Sequence, residues 1–111
     1  MTKSSLEDVV IHKKLTQCAS CDSHEYTLPF PITSRIGNYI VCMGPLKFPL
    51  DKVKVVKIEN PFVHLMARVG QNTVRIKFKK HPAQRELFET QLAAYIGEEM
   101  NVVIEAKGLL A

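Results

Sequence analysis

The stretch Thr73-Val74-Arg75-Ile76-Lys77-Phe78-Lys79 alternates apolar and polar residues without a break, and this alternation constrains the fold more than any other feature of the chain. Side chains of a β-strand point alternately to its two faces, so Val74, Ile76 and Phe78 share one side while Arg75, Lys77 and Lys79 share the other. The preceding run, Phe62 to Val69, sets Val63, Leu65, Ala67 and Val69 against Phe62, His64, Met66 and Arg68. Gly70-Gln71-Asn72 between the two runs predicts a hairpin with a loop of the three-residue type. Upstream, Lys52-Val53-Lys54-Val55 alternates, and Val56-Lys57-Ile58 resumes one position out of phase, which predicts a bulge. Asn60-Pro61 is a turn signal. Three consecutive strands are therefore expected at about 52–58, 61–69 and 73–80.

Downstream, His81-Pro82 breaks the last strand, and proline suits the first turn of a helix. Phe88, Leu92, Tyr95 and Ile96 recur at helical spacing, which predicts an amphipathic helix over about 82–96 with Gly97 as its C-terminal stop. Arg85 and Glu89 stand four apart and read as a surface ion pair. A final strand is expected over Asn101–Glu105. In the first third, Ser4 and Glu7 match a capping box ahead of a short N-terminal helix that would turn Leu6, Val9, Val10 and Leu15 to the core, while the β-branched trio Val9-Val10-Ile11 suits a strand as the alternative. Tyr26–Leu28 and Asn38–Cys42 read as short strands, separated by an extended link that Pro29 and Pro31 enforce.

These elements make an α+β fold: a small, mainly antiparallel sheet, with barrel-like closure as an option, one C-terminal amphipathic helix and a short N-terminal one. With 111 residues, 46% of them hydrophobic and 23% charged, the chain reads as a single globular domain over 1–111. Its apolar runs, Val9-Val10-Ile11 among them, are all too short to span a membrane, and its first residues are polar. The expectation is a cytoplasmic protein that does not engage a membrane.

Charge is concentrated. Residues 47–80 hold nine basic and two acidic residues, against a net charge of +4 for the whole chain. Strand alternation places Arg68, Arg75, Lys77 and Lys79 on the side of the sheet that also carries Phe62 and His64, and Lys52 and Lys54 are candidates to extend that surface. Cations that track phosphates, interleaved with rings that stack on bases, are what single-stranded nucleic acid requires of a sheet surface. The leading expectation is a non-catalytic module that binds single-stranded nucleic acid or RNA through this face. The alternative is a protein-binding module: an adaptor, an assembly subunit, or an inhibitor of host nucleic-acid machinery of the kind found in phages and mobile elements. Such a module would dock an acidic surface, and the oligomeric state is left open.

Three cysteines cannot all pair within one chain, which argues against a disulfide scaffold. Cys18 and Cys21 have zinc-knuckle spacing, and His24 and Cys42 would complete a Cys3His set around a structural zinc. A second Cys-x2-Cys pair is missing, so unligated thiols are the competing reading. Asp22-Ser23-His24 lines up triad residue types too close in sequence for triad geometry, and the chain has no glycine-rich phosphate loop. No enzyme activity is expected.

Overall fold

The computed structural model describes residues 3–14, 22–47, 54–78 and 82–105. Five strands form one antiparallel sheet: β2 (Ile11–Lys14), β3 (Asp22–Thr27), β4 (Val55–Glu59), β5 (Val63–Arg68) and β6 (Thr73–Phe78), in the order β2-β3-β6-β5-β4. The sheet is open, with β2 and β4 at its edges, so barrel closure does not occur. The hairpin of β5 and β6 lies at the expected place, with Leu65 opposite Ile76 and Ala67 opposite Val74. Gly70, at φ +94°, occupies its turn, where Gln71 N–H donates to the Arg68 carbonyl at 3.1 Å. β4 begins at Val55, later than the sequence suggested, and Val56 and Ile58 face inward. The predicted bulge at 53–56 lies partly outside the described residues.

One face of the sheet is packed under a long helix, α3 (Pro82–Met100). Phe88, Leu92, Tyr95 and Ile96 are all buried, against Val56, Ile58, Val63, Leu65, Val74, Ile76 and Phe78 from the strands. The helix runs a turn past its expected end. Asn101, at φ +57°, terminates it: Asn101 N–H donates to the Glu98 carbonyl and Val102 N–H to that of Gly97, the paired bonds of a Schellman motif. Gly97 is needed for a different reason. A Cβ there would lie 2.8 Å from the Val102 carbonyl oxygen, because the chain doubles back over it into β7 (Val103–Glu105). β7 does not join the main sheet. It pairs in parallel with β1 (Lys3–Ser5) in a separate two-stranded sheet.

The short N-terminal helix, α1, is a single turn (Leu6–Val9), and the capping contact is shifted by one residue from the Ser4/Glu7 pair: Ser5 N–H donates to Asp8 Oδ2 at 3.4 Å. The predicted strand at Asn38–Cys42 is instead helical. A 3-10 turn (Ser34–Ile36), an α turn, α2 (Gly37–Ile40), and a second 3-10 turn (Val41–Met43) follow one another. Ile36, Ile40 and Met43 recur every three to four residues and are all buried, with Tyr39 partly buried against the same core. This burial outweighs the β-preference of the branched residues. Gly44, at φ +140°, leaves the segment, and Asn60 locks it to the sheet: its Nδ2 donates to the Met43 carbonyl, while its Oδ1 accepts from the backbone N–H groups of Phe62 and Val63. The Pro29–Pro31 link is irregular, with a bend at Pro29 and Phe30, and is clamped to the β5–β6 turn by bonds from Leu28 N–H to the Asn72 carbonyl and Ile32 N–H to that of Gln71.

Candidate functional site

The face of the sheet turned away from α3 carries two kinds of residue in rows set by the strand register. One row crosses the sheet as Lys57, Met66, Arg75, Glu25 and Lys13, from β4 to β2. The next row is Glu59, His64, Lys77 and Ser23. Arg68 stands two residues beyond Met66 on β5, on the same side. Of the residues expected at a binding surface, His64, Arg68, Arg75 and Lys77 therefore share one solvent-facing surface, with Phe62 exposed at its end, just ahead of β5. Lys54 is exposed in the segment before β4, not in a strand, and its carbonyl accepts from Val69 N–H. Lys52 and Lys79 lie outside the described residues.

Lys13 and Lys57 belong to this face and were not singled out from sequence, because Lys13 sits in a strand read as part of a helix. Two carboxylates also belong to it. Glu25 Oε2 accepts from Arg75 Nε at 2.9 Å. Glu59 accepts from Lys47 at 3.3 Å and stands 3.6 Å from His64 Nδ1, and the hydrogen bond from Lys47 holds the Glu59 carboxyl below its ordinary value. Arg75 is thus partly neutralised in place. No carboxylate among the described residues stands within ion-pair distance of Lys57, Arg68 or Lys77.

Two shallow depressions flank Met66. One, of about 330 Å³, is lined by Ser23, His24, His64, Met66, Arg75, Ile76 and Lys77. The other, of about 440 Å³, is lined by Glu25, Met66, Ala67, Arg68, Gln71, Thr73 and Arg75.

A second polar cluster lies beneath the sheet, where sequence reasoning expected only apolar packing. Glu89, read as half of a surface ion pair, is fully buried. Its Oε2 accepts from the Tyr26 hydroxyl at 2.6 Å and from Arg85 Nε at 3.2 Å, while its Oε1 is buried without a hydrogen-bond partner. Burial, reinforced by the Glu89 carboxylate, pushes the Tyr26 hydroxyl far above its ordinary value. Alongside, His12 Nε2 and His24 Nδ1 are 2.7 Å apart, and both rings pack near Tyr26.

The candidate zinc set divides between these places. His24 is buried in β3 and bonded to His12. Cys42 is exposed in the helical segment, where its thiol donates to the Tyr39 carbonyl and desolvation raises its pKa, which keeps it protonated at neutral pH. Cys18 and Cys21 lie outside the described residues. Among the described residues no group of three or more His, Cys, Asp or Glu is placed to share an ion, and no helix is long and apolar enough to cross a membrane. Comparison with known protein families, characterised proteins and solved structures finds no match to this chain.

Proposed function

We propose that this protein is a non-catalytic binding module whose open sheet face takes single-stranded nucleic acid. The observation that carries this reading is the placement of Lys57, Arg68 and Lys77 on one solvent-facing surface, with no carboxylate among the described residues within ion-pair distance of them, beside the exposed Phe62 ring. Lysine and arginine outside ion-pair distance of the described carboxylates remain available to phosphates, and each phosphate they neutralise releases condensed counterions. A sheet offers such cations in a flat array, and a flexible single strand can follow it with its bases turned inward. The Arg75–Glu25 pair fixes the guanidinium at the centre of the array while leaving most of it exposed.

Fluorescence anisotropy of a labelled single-stranded oligonucleotide, titrated with nuclease-treated protein at two salt concentrations, tests the reading. Binding that weakens with salt, and fails in the Arg68→Glu/Lys77→Glu double variant, supports it. An absence of binding at low salt overturns it, and the same face then becomes a docking surface for an acidic protein.

A further inference from the structure

Within that array, we infer that Met66 is the seat of a nucleobase, flanked by two phosphate positions; this rests on the nucleic-acid reading above. Met66 is 39% exposed, although it lies on an interior strand of the sheet, where a long apolar side chain facing water gains nothing for the fold. Its neighbours explain its use. Lys57 and Arg75 are directly opposite it on the two adjoining strands. His64 and Arg68 stand two residues away on its own strand, and Lys77 lies diagonally across, opposite His64. Side chains in these relationships have Cβ atoms roughly 5–7 Å apart, so one thioether sits inside a ring of four cationic side chains and an imidazole.

An apolar, polarizable floor inside a cationic rim suits a flat aromatic group that carries negative charge beside it. Sulfur makes favourable contacts with aromatic rings, and methionine adapts its shape to rings of different size, which matches a site that holds a base without reading its sequence. The two depressions open on opposite sides of Met66. Lys77 lines one and Arg68 the other, while Arg75 and Met66 line both. A base lying on Met66 therefore has room for a phosphate on each side, one toward Lys77 and one toward Arg68. A protein partner bearing only carboxylates would use the rim and gain little from the floor.

The test compares a short oligothymidylate with an abasic sugar–phosphate backbone of the same length, against wild-type protein and the Met66→Ala variant, with folding checked by circular dichroism. Wild type should prefer the base-bearing strand, and Met66→Ala should reduce that preference by about two- to tenfold while abasic binding stays unchanged. Lys77→Glu should weaken both ligands alike. If both strands bind wild type with steep salt dependence but Met66→Ala leaves their ratio unchanged, the base seat is wrong and the nucleic-acid reading stands. If neither strand binds at low salt, both fall together.

Discussion

The Tyr26 hydroxyl donates a 2.6 Å hydrogen bond to Glu89 Oε2, joining β3 to the middle of α3 through the core. Arg85 Nε reaches the same oxygen from one turn earlier on the helix. A fully buried carboxylate is tolerated because two donors converge on it, and the arrangement fixes how the helix sits on the sheet. Tyr26→Phe removes one donor and leaves the carboxylate less compensated. Loss of a hydrogen bond to a buried charged group costs about 1.5–3 kcal/mol, which denaturant unfolding should show as a lower midpoint at unchanged slope.

The same contact sets an alkaline limit. An unfolded tyrosine ionises near pH ~10, whereas burial, and then the adjacent Glu89, keep Tyr26 protonated well above that in the folded protein. The folded state therefore holds a proton that the unfolded state has released. The stability is complete below about pH 10 and falls as pH rises beyond it. Unfolding curves between about pH 9 and 11 should show a steeper loss for wild type than for Tyr26→Phe.

Gly97→Ala inverts the usual helix rule. In an open helix this change is worth up to about 1 kcal/mol of stabilisation. Here the added methyl would meet the Val102 carbonyl oxygen at 2.8 Å, and overpacking against backbone typically costs about 1–3 kcal/mol. A lower melting temperature is expected, with β7 displaced from α3. A rise in melting temperature would mean that the β7 connection yields freely.

Glu25→Gln should tighten nucleic-acid binding. The change removes a negative charge from the face and releases the Arg75 guanidinium, 2.9 Å away, for a phosphate. One further phosphate contact raises the log–log salt slope by about 0.7 for a single strand. An unchanged slope and affinity in the isothermal titration of this variant would place Arg75 outside the contact surface.

The parts of this fold legible in the sequence are those whose pattern is local and one-sided. The β5–β6 hairpin could be read because Val63, Leu65, Val74 and Ile76 alternate with polar residues, and α3 because Phe88, Leu92, Tyr95 and Ile96 share a stripe. The helical segment at 34–43 was hidden: Tyr39-Ile40-Val41 favours a strand locally, and only burial of Ile36, Ile40 and Met43 against the core makes it helical. Glu89 was misread because its spacing from Arg85 is that of a solvated pair, while its deciding partner, Tyr26, is 63 residues away. The surface followed the same rule. Arg68, Arg75 and Lys77 came from strand alternation, but Glu25 enters the face only through the β3–β6 register, which no local pattern encodes.

The most direct measurement is the salt dependence of single-strand binding by wild type and by the Arg68→Glu/Lys77→Glu variant. Both side chains are exposed and without an ion-pair partner among the described residues, so the variant should fold normally. Wild type should bind with an affinity that falls steeply as salt rises, and the variant should lose that binding. Equal affinity and equal salt slope in the two proteins would contradict a nucleic-acid role for this face.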